Sequence, residues 1–183
     1  MLTVQPLTAA LLPAAVALDH QVFGGFWAYD SYQKEWSRAG SDLVGIWVPE
    51  EPSILLAMGC SWFVVDETHI VLLAVHPDYR QRGLGLAILV ALLHRAHQRG
   101  AHYATLEVGA TNHSAITLYQ KLGFTVAGCR PNYYPQTGED ALVLWRSGLQ
   151  SVEFTQQLQA YQQTIAQRWQ ETNPLPEGRE QQS

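Results

Sequence analysis

The sequence predicts an α+β domain: a mixed, mostly antiparallel central sheet flanked by helices and followed by an extra C-terminal helix. Three patterns carry this expectation. Two β-rich runs, Leu43 to Val48 and Ile54 to Val65, are separated by Pro49 and Pro52 in the manner of an antiparallel pair. A nearly unbroken apolar run from His69 to Val75 has the composition of a strand covered on both faces, and Pro77 stops it. Apolar residues then recur at Leu86, Leu89, Val90, Leu93 and Ala96, which lie on one face of a long helix.

The other elements follow in chain order. Val4 to Leu7 reads as a short strand and Ala9 to Phe23 as a helix; after the Gly24-Gly25 turn signal, Tyr29 to Ser37 makes a second helix. This opening carries Phe23, Phe26, Trp27, Tyr29, Tyr32 and Trp36, a set used more often for helix packing than for recognition. The long helix opens at Gly83, reaches about Arg99 and ends at Gly100. Tyr103 to Val108 is the next strand. Asn112 is the natural N-cap of a helix from His113 to Leu122, which Gly123 stops. Thr125 to Arg130 and Ala141 to Arg146 complete the sheet. From Val152 to Trp169 the residues Phe154, Leu158, Tyr161, Ile165 and Trp169 stand three or four apart, the stripe of an amphipathic helix. Exposed, that stripe is a larger apolar patch than monomers usually show, so it is expected to pack on its own domain or in a homodimer. The organisation expected is a domain over 1–148, an appended helix over 149–171 and a mobile tail over 172–183, where little can be buried.

With 183 residues, 47% of them apolar and 15% charged, the chain has the composition of a globular protein with one core. A formal net charge of -5 argues against a partner recognised by many phosphates, so no nucleic acid is expected, and suits cationic acceptors such as amines. Cys60 and Cys129 are isolated, without metal-ligand spacing, and read as small core residues. His94 and His97 share a helix face but have no third ligand, so no metal is expected. Leu86 to Leu93 is far shorter than the roughly 20 residues of a membrane span, and no basic leader precedes an apolar run. No membrane partner is expected, and the location expected is cytoplasmic.

The segment from Leu73 to Leu86 carries the strongest chemical signal. A buried strand ends at a proline, and a basic turn, Arg80-Gln81-Arg82, leads through Gly83-Leu84-Gly85 into a long helix. Glycines there allow a ligand to approach the backbone, and the N–H groups and positive dipole end of the helix attract phosphate oxygens. A dinucleotide fingerprint is excluded because Ile88 stands where its third small residue belongs, and no GK[ST] follows for a P-loop. What remains is R-x-x-G-x-G, preceded by Val75-x-Pro77.

That pattern resembles the coenzyme A-binding motif of the GNAT superfamily of N-acetyltransferases. Leu106 to Phe124 resembles the second core motif of the same family, with its Asn-started helix, A-x-x-L-Y and G-F exit. Asn132-Tyr133-Tyr134-Pro135, with Gly138-Glu139-Asp140-Ala141, narrows the likeness to the ribosomal-protein-alanine N-acetyltransferases, the RimI type. The likeness is dense from Leu72 to Trp145 and absent after about Gly148.

The resemblance implies a GNAT fold and acetyl-CoA as cosubstrate. It implies that the backbone of Leu73, Ala74 and Val75 lines the cosubstrate, with a carbonyl-polarising N–H near Val75 where the strand bulges and splays. Gln81, Arg82, Gly83, Leu84, Gly85 and Leu86 would then hold the pyrophosphate. Glu107 matches the proton acceptor, although an outward-facing solvated glutamate is the plainer reading of an alternating strand. Tyr119 matches the donor to the leaving sulfur, against a core tyrosine on an amphipathic helix. Asn112 caps its helix and, by resemblance, also contacts the pantetheine arm. Two departures stand out: Gly109 replaces the family's usual Arg, and Gly25-Phe26-Trp27-Ala28-Tyr29 replaces its P-W-S. The acceptor implied is the N-terminal alanine of a small-subunit ribosomal protein. A lysine, a polyamine or another small amine is the alternative, as is an acyl-CoA-binding domain without turnover.

Overall fold

The computed structural model describes residues 2–48 and 51–171; the tail expected over 172–183 lies outside the described residues. Among these residues the strands are β1 (Gln5–Pro6), β2 (Ser41–Val48), β3 (Glu51–Val64), β4 (Glu67–Val75), β5 (Tyr103–Gly109), β6 (Thr125–Tyr134) and β7 (Glu139–Arg146). They form one sheet in the order β1-β2-β3-β4-β5-β7-β6. Every neighbouring pair is antiparallel except β4 with β5, which is parallel. The mixed, mostly antiparallel sheet is therefore as expected.

The helices are α1 (Leu12–Phe23), α2 (Tyr29–Ser37), α3 (Leu84–Gln98), α4 (His113–Lys121) and α5 (Val152–Glu171). Residues of α1 and α2 join one apolar cluster on the sheet, and residues of α3, α4 and α5 join the other. The single helix expected from Ala9 to Phe23 is instead a 3-10 turn, Ala9–Leu11, followed by α1. Pro13 explains the division. It cannot donate to the Ala9 carbonyl and its ring would press on that group, so a proline is accommodated only in the first turn of an α-helix.

Strand β4 is covered on both sides, one face more fully than the other. Val71 is an extra residue in its pairing with β3, because Cys60 stands opposite Leu72 while Ser61 stands opposite Ile70. The bulge lets Ile70, Leu73 and Val75 serve the α3 cluster while Leu72 and Ala74 serve the α1 cluster. A second tie fixes α3. Its C-terminal end presents Arg95 and Arg99 to Asp42 on β2, at 3.1 Å for Arg95 Nη1 and 2.8 Å for Arg99 Nε.

Cys60 is buried in the α1 cluster, and burial pushes its thiol up to about 12. Cys129 is a correction: it is exposed, because β6 is an edge strand with most of its residues facing solvent.

Helix α5 packs on its own chain. Ser151 Oγ accepts from the Phe154 amide at 3.1 Å and caps the helix start. Phe154 and Leu158 are fully buried, and Tyr161, Ile165 and Trp169 pack against the same cluster. The Arg146 guanidinium lies 4.9 Å from the Phe154 ring centroid, and the Tyr161 hydroxyl donates to the Lys121 carbonyl at 2.9 Å. Phe154→Ala is expected to lower the unfolding free energy by about 3–5 kcal/mol, the usual cost of emptying a buried phenyl site. Chemical denaturation checks this, and an unchanged midpoint would mean that α5 is no part of the cooperative unit.

Candidate active site

The site begins where the sheet opens. Strands β4 and β5 pair only from Glu67 to Ile70 against Tyr103 to Leu106. Beyond that point β4 continues with β3 as far as Val75, while β5 continues with β7 as far as Gly109. The two strands have therefore parted. The His76 amide donates to the Leu56 carbonyl at 2.9 Å, so the alternation of an antiparallel ladder turns the N–H groups of Leu73 and Val75 toward the opening. Ala74 faces β3 opposite Met58, so its amide belongs to the sheet rather than to the opening. The splay is where the family resemblance implies it; the bulge is not, since it stands four residues earlier, at Val71.

The basic turn follows directly. Gln81 and Gly83 both adopt left-handed backbone conformations, with φ of 62° and 82°, and Gly83 is the N-cap of α3. The first intrahelical bond runs from the Ala87 amide to the Gly83 carbonyl at 3.0 Å, so the amides of Leu84, Gly85 and Leu86 precede any helical acceptor. They point out of the positive end of a 15-residue helix. Arg82 stacks on the Tyr79 ring at 5.2 Å. At Gly85 an added Cβ would meet Leu118 Cδ2 at 3.4 Å, Val75 Cγ2 at 3.5 Å and Leu73 Cδ2 at 3.7 Å, so anything larger than a methyl collides with α4 and β4. These donors, without a competing carboxylate in the turn, fit the pyrophosphate of a coenzyme A thioester.

Glu107 stands one residue past the last β4–β5 pair, on the face opposite buried Leu106 and Val108. Its carboxylate is paired with Arg130 of β6 at 3.2 Å, and a third of the side chain is exposed. Tyr119 is buried in α4, its ring edge-on to Phe124 at 5.9 Å. Burial, followed by the nearby charge of Tyr134, holds its hydroxyl well above the ordinary tyrosine value, so it stays protonated at neutral pH. Asn112 caps α4 as expected, accepting from the Ala115 amide at 3.2 Å.

The β6–β7 hairpin adds residues that sequence reasoning did not assign. Tyr134 is raised first by burial and then by the charges of Tyr133, Glu139 and Glu107, so it is electrostatically coupled to both Glu107 and Tyr119. Glu139 accepts from the Thr111 amide at 2.9 Å and the Thr111 hydroxyl at 2.6 Å, and these bonds lower its pKa. It also fills the space above Gly109, where an added Cβ would stand 2.7 Å from Glu139 Oε1. Only the register of the hairpin brings these groups together; the sequence signals are the Asn132-Tyr133-Tyr134-Pro135 and Gly138-Glu139-Asp140-Ala141 stretches, which assign no role to Tyr134 or Glu139.

The loop between α1 and α2 is organised by Asp19, a fully buried carboxylate that accepts from the Phe26 amide, the Trp27 amide at 3.0 Å and the Tyr32 hydroxyl at 2.6 Å. The aromatic set is consequently divided. Trp27 and Tyr32 pack inward, whereas Phe23, Phe26, Tyr29 and Trp36 are exposed. His94 and His97 are occupied separately, His97 Nδ1 lying 2.8 Å from the Leu149 carbonyl and His94 Nδ1 3.4 Å from Gln162. No helix among the described residues is long and apolar enough to cross a membrane.

The chain is similar to known proteins. The family model described as Acetyltransferase (GNAT) family matches residues 15–124. A protein of Escherichia coli (strain K12) named [Ribosomal protein bS18]-alanine N-acetyltransferase is 34% identical over 146 residues, covering 79% of this chain and 96% of the relative. The crystal structure of the ribosomal-protein-S18-alanine N-acetyltransferase from Escherichia coli superposes with a TM-score of 0.72 at 32% identity, covering 80% of this chain and 94% of that one. Arabidopsis thaliana NAA60, in complex with a bisubstrate analogue, shares the fold at 15% identity and a TM-score of 0.72, covering 80% of this chain and 98% of its own. With an opened sheet, an amide-lined turn and a family model spanning more than half its length, the chain belongs to the GNAT family of acetyltransferases, acyltransferases that use acetyl-CoA.

Proposed function

We propose that this enzyme acetylates the α-amine of a protein N-terminus, and that its acceptor is the N-terminal alanine of a small-subunit ribosomal protein, which puts the reaction in the cytoplasm. The observation that carries the reading is the opening between β4 and β5, with amide donors on its β4 side and Glu107 on its β5 side. The similarity to the bS18-alanine enzyme over nearly all of that relative's length supports the acceptor.

The cosubstrate supplies an acetyl thioester. The N–H groups of Leu73 and Val75 offer hydrogen bonds to its amide and thioester carbonyls, and an N–H aimed at the thioester oxygen stabilises the negative charge that develops there. The amides from Gln81 to Leu86 hold the pyrophosphate. Glu107 takes the proton of the arriving α-ammonium, directly or through water. Arg130 pairs with that carboxylate at 3.2 Å, so an arriving ammonium meets a guanidinium on an exposed edge strand. Tyr119 donates its hydroxyl proton to the departing sulfur. An α-amine with a pKa near 8 is already about one-tenth neutral at pH 7, against roughly one part in a few thousand for lysine, so a single carboxylate suffices.

Three experiments test this reading. Glu107→Gln and Tyr119→Phe should each lower kcat by about 10²- to 10⁴-fold, the span of general acid–base effects, while calorimetry finds acetyl-CoA affinity near wild type. Wild-type turnover in both variants assigns the proton transfers to other groups. Gly83→Val and Gly85→Val should abolish acetyl-CoA binding. The first puts a β-branched residue at positive φ and the second drives methyls into Leu118 and Val75. The acceptor is decided by comparing an alanine-initiated peptide, the same peptide N-terminally blocked but carrying a free lysine, and a polyamine. Faster turnover of either of the last two overturns the α-amine assignment, and acetyl-CoA binding without any turnover favours a sensor.

A further inference from the structure

Helix α5 lies beyond the part of the chain that the family model matches, which ends at residue 124. Its last turns nevertheless reach the phosphate-binding turn. Arg168 Nη2 donates to the Gln81 carbonyl at 3.2 Å, across 87 residues of sequence. The same guanidinium overhangs Gly83, with Nη1 3.5 Å and Cζ 3.9 Å from where a Cβ on that glycine would stand. Gly83 is the N-cap of α3, so Arg168 borders the row of amides that precedes the first helical acceptor.

This placement follows from packing. Phe154 and Leu158 bury the first half of α5, and Ile165 and Trp169 pack on either side of Arg168 in sequence, so the exposed arginine is delivered to the turn by a docked helix. A guanidinium is a fork of five N–H donors matched to phosphate oxygens, and the bond to Gln81 O is not the sole contact that holds Arg168. Gln81 is held at positive φ, and its carbonyl accepts from α5.

We propose that Arg168 is a ligand for a phosphate group of coenzyme A, so that the appended helix adds a side-chain donor to the row of amides at the start of α3. This rests on the acetyl-CoA reading of the turn. The Arg168 side chain bridges Gln81 O and a phosphate oxygen, and cosubstrate binding and the docking of α5 stabilise one another.

Calorimetry with coenzyme A, 3′-dephospho-coenzyme A and pantetheine tests it on the full chain, with wild type, Arg168→Ala and Arg168→Lys. Arg168→Ala is expected to weaken coenzyme A binding about ten- to a hundredfold, as loss of charge-assisted bonds does, with pantetheine unaffected and Arg168→Lys recovering part of the loss. A loss that disappears with 3′-dephospho-coenzyme A assigns the contact to the 3′-phosphate; one that persists assigns it to the pyrophosphate. Hydrogen exchange should slow across residues 152–171 when coenzyme A is added to wild type and not to Arg168→Ala. Equal coenzyme A affinity in wild type and Arg168→Ala overturns the proposal and leaves the acetyltransferase reading standing, and so does an equal loss for pantetheine, which would make Arg168 a strut for the turn. Failure of wild type to bind coenzyme A overturns both.

Discussion

The parting of β4 from β5 is the constraint on which the rest of the molecule depends. A parallel pair that continued past Ile70 and Leu106 would satisfy the amides of Leu73 and Val75 within the sheet and leave nothing to offer a ligand. Because the strands separate, those amides need acceptors from elsewhere, and α3 begins a few residues further on with amides in the same condition. Unpaired donors thus gather along the β4 edge and the start of α3. A ligand rich in carbonyl and phosphate oxygens is the chemical complement of such an edge. The helices hold it open: Leu118 of α4 and Val75 of β4 close around Gly85, and Asp42 clamps the far end of α3 through Arg95 and Arg99.

Much of this was legible in the sequence because it is local. The buried strand, its proline stop, the Gly-x-Gly helix start and the Asn112 cap each depend on residues within a few positions of one another, and each stands where the pattern put it. Pro13 is a local signal of the same kind, since a proline inside the run from Ala9 to Phe23 is accommodated only in the first turn of the α-helix. What was not legible is the long-range pairing. The contact of Asp42 with Arg99 spans 57 residues and that of Trp62 with Glu35 spans 27, and no periodicity announces either. The Glu107–Arg130 pair depends on the joint register of β5, β7 and β6, so an alternation rule could say which face Glu107 occupies but not which partner waits there.

Polar groups are used differently at the two ends of the opening. At the end proposed for the cosubstrate most donors are main-chain N–H, whose position is set by secondary structure and loses no side-chain entropy on binding. At the end proposed for the acceptor the groups are side chains from separate elements: Glu107 on β5, Tyr119 on α4, Arg130 and Tyr134 on β6. The first arrangement suits an invariant ligand. The second allows acceptor preference to change by substitution without disturbing the sheet.

Gly109 and Glu139 show what that freedom is worth. The carboxylate of Glu139 lies where a side chain at 109 would begin, anchored by two bonds from Thr111. The two positions are therefore linked: a side chain at 109 requires the Glu139 carboxylate, the far end of a flexible side chain, to swing aside and give up its bonds from Thr111. A substitution at 109 thus acts at two places at once, on its own strand and on the turn that Thr111 occupies.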